Sequence, residues 1–382
     1  MSNKKILRVG MVGSGFMGKC HANAFRAYSG LFNAPVNVEL YKIADITDEQ
    51  AAKSARALGF GHSTGDWKTL VGDPLVDIVS ITAPNALHEE IALAAIAQGK
   101  TVYCEKPLST SSPSALRMAD AAEAAGVVTQ VGFNFLRNPL VALCKELIEG
   151  GELGEIVSFR GRHAENYLVN PDLPHSFRTA PQGGGAMADI GSHIVSMARY
   201  LLGDISEVSA RSRTVHRTRP LRSGAEERAP VTVDDLGQAL VQFSNGAQGT
   251  IEANWMATGR TMDLSFEITG TRGALAFTQE RMNELRVWEA GKRPGLDGFK
   301  KIETGPAHPP YGNFCPAPGH HLGFNDLKVI EVAELIDRIL NGRPVFTDFR
   351  EGYRVQRTID AIHRAAATRQ WEAVERMSGP PG

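Results

Sequence analysis

The stretch Ile6-Leu7-Arg8-Val9-Gly10-Met11-Val12 is apolar enough for a buried strand, and Gly13-Ser14-Gly15-Phe16-Met17-Gly18 follows it at once. Few folds place G-x-G-x-x-G between a strand and a helix. The glycines permit a tight turn and a close backbone approach, and the helix opens with unpaired N–H groups at the positive end of its dipole. This pattern suits a pyrophosphate, so Gly13, Gly15, Phe16 and Met17 are read as contacts to a dinucleotide.

Strand and helix then alternate. The second strand, Val38-Glu39-Leu40-Tyr41-Lys42-Ile43-Ala44, ends in Asp45. An acidic residue there accepts hydrogen bonds from a ribose and repels a 2′-phosphate, which favours NAD over NADP; an aspartate capping the helix that starts near Thr47 is the other reading. Asp45 lies farther past Gly18 than the usual span of about 20 residues, and the insert 29–37 accounts for the excess. Asp77-Ile78-Val79-Ser80-Ile81-Thr82 is another buried strand, ending in a loop with Pro84, Asn85 and His88. Thr82, Pro84 and Asn85 therefore face the presumed cofactor, while His88 reads either as a cofactor contact or as a solvated residue at a helix start. Thr101-Val102-Tyr103 leads into Cys104-Glu105-Lys106-Pro107, where the proline ends the ladder. Glu105 and Lys106 leave the carboxyl end of a strand, where open α/β sheets bind ligands; a plain surface lysine beside a turn is the competing reading. With a helix at 114–125 and a strand at 127–131, residues 1–131 read as a doubly wound parallel sheet that binds NAD.

Bulk composition narrows the function classes. The chain has 382 residues, enough for two domains, with 41 Lys+Arg against 42 Asp+Glu and a net charge of -1. This balance offers no field for nucleic acid or an anionic membrane. Four scattered cysteines show no C-x-x-C spacing, so neither a zinc site nor a disulfide framework is expected and no metal is called for. No apolar run approaches the ~18 residues of a membrane span, and the start passes into a strand without a signal-like segment, so a cytoplasmic protein is expected. The closing Gly-Pro-Pro-Gly is expected to fray.

Residues 132–382 change character. A helix opens at Asn138-Pro139, and β-rich segments follow at 155–166, 206–216, 236–243, 247–256, 262–269, 273–279 and 284–289. They read as a mostly antiparallel sheet of an α+β domain, with Ser244-Asn245-Gly246 as a hairpin turn. Two helices close the chain at 326–340 and 350–370. Within this part, Gly183-Gly184-Gly185 feeds a helix carrying Asp189 and His193 four apart, hence on one face. Alone, that pair also describes a helix cap and a surface histidine.

Together, the glycine motif, Asp45, Glu105-Lys106-Pro107 and Asp189-Ile190-Gly191-Ser192-His193 resemble the Gfo/Idh/MocA oxidoreductases. The similarity runs nearly end to end, through Val131-Gly132-Phe133-Asn134-Phe135-Leu136-Arg137. The resemblance implies a Rossmann domain followed by an open-faced sheet domain, a cis Lys106–Pro107 bond, and Lys106, Asp189 and His193 as the catalytic set. It also implies a homotetramer or dimer formed through the open sheet face. The residue types agree: an imidazole suits a general base at neutral pH, a lysine steadies a developing alkoxide, and an aspartate orients hydroxyls.

The resemblance places substrate contacts near Arg178, with a structural ion pair there as the equal alternative; Asn166, Tyr167 and His163, which end or follow the first strand of the sheet domain, are read as lining the pocket. The long loop from Gly305 to His321 resembles one that reaches a neighbouring subunit's pocket in sugar dehydrogenases, with His320 as the contact. Many polar groups and no apolar slot point to a polyol, a cyclitol or cyclic sugar of the inositol or L-glucose type, with levoglucosan as the alternative. An NAD-dependent glycosidase and a non-catalytic sugar sensor are further alternatives.

Overall fold

The computed structural model describes residues 4–374 apart from Lys292 and Pro294; the first three residues and the closing Gly-Pro-Pro-Gly lie outside them. The chain divides into two compact units, 1–137 with 305–353 and 138–304 with 354–382. This differs from a single cut after residue 131, because residues 305–353 return to the first unit.

The first unit holds strands β1 (Ile6–Val12), β2 (Asn37–Ala44), β3 (His62–Thr64), β4 (Ile78–Ile81), β5 (Thr101–Cys104) and β6 (Thr129–Val131). They form one sheet in the order β3-β2-β1-β4-β5-β6, parallel throughout. The order reverses direction between β1 and β4, and the crevice outside the carboxyl ends at such a switch is where these sheets take ligands. Helices α1 (Phe16–Leu31), α2 (Asp48–Leu58), α3 (Trp67–Val71), α4 (His88–Ala97) and α5 (Ser112–Ala125) connect the strands. Thr47 caps α2 through the Gln50 amide and Gly59 ends it in the left-handed region, which frees Asp45 from the capping role.

The second unit begins with α6 (Pro139–Glu149), capped by Asn138, and the long strand β7 (Ile156–Ala164). The expected single helix around 185–202 is two: α7 (Gly185–Asp189) and α8 (Gly191–Leu202), broken at Ile190. Strands β8 (Ile205–Arg213), β9 (Thr218–Pro220), β10 (Arg228–Pro230), β11 (Leu236–Phe243), β12 (Gln248–Asn254), β13 (Asp263–Gly270), β14 (Gly273–Thr278), β15 (Glu284–Glu289) and β16 (Lys300–Glu303) follow. With β17 (Glu372–Ala373), nine of the strands order as β16-β15-β14-β13-β7-β12-β11-β8-β17, while β9 and β10 pair apart as a small ribbon. Pairing in the large sheet is antiparallel except between β7 and β12, which run parallel at its centre. Along β11, Gly237, Ala239, Val241 and Phe243 are buried while Gln238 and Leu240 are exposed. One face of the sheet is thus covered, with α8 lying against β7 and β12, and the other is open.

Between these stretches the chain returns to the first unit as α9 (Phe324–Asn341), and α10 (Phe349–Thr368) follows. Val329, Val332, Leu335 and Ile336 of α9 share one core with Leu7, Val9, Phe25, Tyr28, Ile78 and Tyr103. An apolar stripe of this kind is buried wherever a matching surface exists, whatever the sequence distance. The boundary therefore departs from the simple cut.

Candidate active site

At the switch point of the first sheet, Gly13 has φ +97 and a Cβ there would lie 2.8 Å from the Thr82 carbonyl oxygen. Only glycine fits both demands. The Thr82 hydroxyl donates to the carbonyls of Val12 at 3.1 Å and Gly13 at 2.9 Å, so it fixes the turn. Gly15 precedes α1 with no side-chain cap on the helix amides, and its Cβ position is open for 4 Å around. Uncapped amides beside open space fit a pyrophosphate. Phe16 is exposed and Met17 half-buried.

Asp45 sits at the carboxyl end of β2, where its Oδ1 accepts from the Ile46 amide at 2.8 Å and its Oδ2 from the Ser14 hydroxyl. The aspartate is thereby tied to the glycine loop, the position from which a carboxylate addresses an adenosine ribose. Pro84 is exposed and Asn85 half-buried, opening a single 3₁₀ turn. His88 is neither solvated nor aimed outward. It is fully buried, its Nδ1 lies 3.0 Å from the Pro107 carbonyl and its Nε2 2.9 Å from that of Ala83. Burial lowers its pKa, with the two carbonyl contacts opposing. It lies between the loop after β4 and the turn after β5.

The Lys106–Pro107 bond is cis, and Lys106 is half-buried. Glu105 is buried, and its Oε1 takes hydrogen bonds from His21 at 2.8 Å and Lys328 at 2.5 Å. Burial alone would raise the carboxyl's pKa; the Lys328 ammonium and the His21 contact overcome it and hold the group well below the ordinary range. Glu105 is accordingly engaged inside the protein. His320, by contrast, is exposed on its loop, with Nδ1 3.1 Å from the Ala317 carbonyl.

The second unit gathers the other polar residues. Asp234 anchors the start of α7, accepting from the Met187 amide at 2.9 Å through Oδ2 and from the Ala186 amide at 2.8 Å through its carbonyl. Gly185, at φ +75, leaves no room for more: a Cβ would lie 2.3 Å from Asp234 Oδ1. Gly185→Ala is expected to destabilise the protein by about 1–3 kcal/mol, seen as a lower midpoint in thermal unfolding; an unchanged midpoint would remove this glycine's role.

At the other end of α7, Asp189 Oδ2 accepts from Arg178 Nε at 2.9 Å and from the Tyr167 hydroxyl at 3.2 Å. Burial, then the Asp189 charge, raises the Tyr167 pKa well above its usual value, so the phenol remains a donor. The Arg178 guanidinium lies 4.5 Å over the Phe177 ring. Arg178 thus makes an ion pair with Asp189 while its side chain stays partly exposed. The break at Ile190 is bonded too: its carbonyl accepts from His163 Nδ1 at 2.8 Å and from the His193 amide at 3.2 Å. His193 is nearly buried, its ring 5.5 Å from that of His163, and His163 Nε2 lies 2.9 Å from Glu165. Asn166 is exposed at the end of β7. Asp189, His193, Arg178, Tyr167 and His163 therefore form one cluster.

The motifs gave no hint of two arginines and a lysine. Arg219 of β9 is fully buried and donates to the carbonyls of Leu168 and Asn170, pinning the loop that carries Asn166 and Tyr167. Arg228 of β10 reaches the Pro171 carbonyl of the same loop. Lys328 neutralises Glu105 from α9. None has a local signal, since each pairs across a long stretch of chain.

Comparison with known proteins agrees with this geometry. Residues 7–133 match the oxidoreductase family with an NAD-binding Rossmann fold, and residues 141–276 match the GFO/IDH/MocA C-terminal domain. Levoglucosan dehydrogenase of Pseudarthrobacter phenanthrenivorans is 39% identical over 386 residues, covering 97% of this chain and 99% of that one. The NAD(+)-dependent scyllo-inositol 2-dehydrogenase of Bacillus subtilis is 25% identical over 347 residues, covering 90% and 89%. A solved levoglucosan dehydrogenase in complex with NADH and levoglucosan superposes with a TM-score of 0.94 at 40% identity, over 97% of this chain and 100% of that one. The strand order, the glycine turn and the match over nearly the whole length place the chain in the Gfo/Idh/MocA family of oxidoreductases, with an NAD-binding Rossmann domain at its amino end.

Proposed function

We propose that the protein oxidises a secondary hydroxyl of a cyclic sugar with NAD, and that levoglucosan or a close anhydrosugar is the substrate. The observation that carries this reading is the 39% identity to levoglucosan dehydrogenase over 97% of the chain. It moves the choice away from the inositol or L-glucose type suggested by the motifs. An inositol is the second reading, supported by the more distant scyllo-inositol dehydrogenase.

Bound NAD supplies the hydride acceptor. The chain's own residues do the rest. His193 takes the hydroxyl proton as the carbonyl forms, and the Lys106 ammonium steadies the negative charge that develops on that oxygen. Asp189, held by Arg178 and Tyr167, orients the substrate hydroxyls. Asn166, Arg178 and His320 are proposed as further substrate contacts, the last in a neighbouring copy. A cytoplasmic homotetramer joined through the open sheet face completes the proposal, supported by exposed Leu240 among the polar side chains of that face. A sedimentation mass equal to one chain excludes the tetramer.

Purified protein with NAD is expected to form NADH with levoglucosan faster than with inositols or L-glucose. The reverse order restores the inositol reading. No NADH with any of them, together with release of an aglycone from a chromogenic glycoside, assigns the chain to the glycosidases instead.

A further inference from the structure

Lys328 lies on α9, far in sequence from every motif, and its ammonium is fully buried. It donates to Glu105 Oε1 at 2.5 Å, Glu331 Oε2 at 2.9 Å and the Tyr103 hydroxyl at 3.2 Å, which uses all three of its protons. Tyr103 in turn donates to Glu331. His21 joins Glu105 to Ser80, 2.8 Å from each, and its ring stacks on Tyr103 with centroids 4.2 Å apart. Burial weakens the charge on Lys328, but the two carboxylates overcome it and raise its pKa.

Buried ion pairs seldom stabilise a fold more than apolar side chains of the same volume. Two carboxylates and one ammonium inside the nucleotide-binding unit therefore call for another reason, and their place supplies one. Glu105 directly precedes Lys106, and its Oε2 lies 3.3 Å from the Lys106 amide nitrogen. A Cβ on Gly132 would sit 2.6 Å from Glu105 Oε1, so the backbone of the next strand's end closes off the space beside the carboxylate. On the other side of the turn, His88 holds the Pro107 carbonyl.

We propose that Lys328 is a positioning residue for Lys106: by holding the Glu105 carboxylate it sets the turn from which the Lys106 side chain departs. The effect on turnover rests on the role given to Lys106 above; the effect on the turn itself does not.

Two variants test this. Lys328→Met combined with Glu331→Gln removes one charge of each sign, so the net charge of the cluster is kept. Glu105→Gln removes the carboxylate and keeps the Lys328–Glu331 pair. Each is read first by the rate at which Lys106 reacts with an amine-directed acylating reagent, located by peptide mass mapping, with exposed Lys53 and Lys68 as internal standards. Each is read second by kcat and by KM for NAD. In folded variants the Lys106 rate is expected to change at least about fivefold against the standards, and kcat to fall at least about tenfold with KM for NAD within about threefold. Wild-type Lys106 reactivity in a folded variant overturns the proposal, and so does failure of both variants to fold, which makes the cluster a stability element only. Altered Lys106 reactivity with wild-type kcat supports the positioning and overturns the part given to Lys106 in the reaction.

Discussion

Lys106→Met and His193→Asn are each expected to lower kcat by about 10²-fold or more while leaving NAD affinity near that of the unaltered protein. A loss of that size is about 2.7 kcal/mol of barrier, within reach of one proton acceptor or one well-placed cation. The surroundings of His193 fix its position, as the proposed role in proton transfer needs. Its amide is bonded to the Ile190 carbonyl, which His163 also engages, and its ring lies beside that of His163. Asparagine keeps the polarity and loses the proton acceptor; methionine keeps the length of Lys106 and loses the charge. Combining the two changes is expected to cost less than the product of the single losses, because groups that act as a unit are not additive. Steady-state rates with the active sugar, alongside NAD titration by fluorescence, decide it. Near-normal turnover in either single variant removes that residue from the reaction.

Asp45→Ser is expected to raise the kcat/KM ratio for NADP over NAD by about 10²-fold, mainly through NADP. The carboxylate is fixed by the Ile46 amide and the Ser14 hydroxyl, so it cannot swing away from an incoming 2′-phosphate. Two like charges about 4 Å apart near a protein surface repel by about 4 kcal/mol, and serine removes that repulsion. Dissolved ions screen part of that repulsion, which holds the expected change of the ratio near 10²-fold. Measuring kcat/KM with both nucleotides tests this, and an unchanged preference transfers the discrimination to other residues.

Local signals carried far in this chain. The glycine turn, the strand ending at Asp45 and the β11–β12 hairpin over Ser244-Asn245-Gly246 all follow from short-range chemistry, and the structure has them where the residues indicate. Asp189 and His193 do share a neighbourhood, but through a break at Ile190 rather than a continuous helix. Gly191, directly after the break, is only a weak local signal for it; Asp234 and His163, distant in sequence, bond its two sides. The parallel pairing of β7 with β12 was equally hidden, since alternation along a strand tells which face is buried and not which neighbour it meets. Lys328 reads locally as an ordinary lysine of an amphipathic helix. Only the fold reveals that it meets Glu105 and Glu331 in the interior.

The return of residues 305–353 to the first unit has a practical corollary. A fragment ending at Arg137 carries six strands but lacks Val329, Val332, Leu335 and Ile336, which complete its core, and leaves Glu105 without its ammonium. Truncation at Arg137 is expected to give no freestanding nucleotide-binding module. One would have to be spliced from both segments, since the strands β7 to β16 lie between them in the chain.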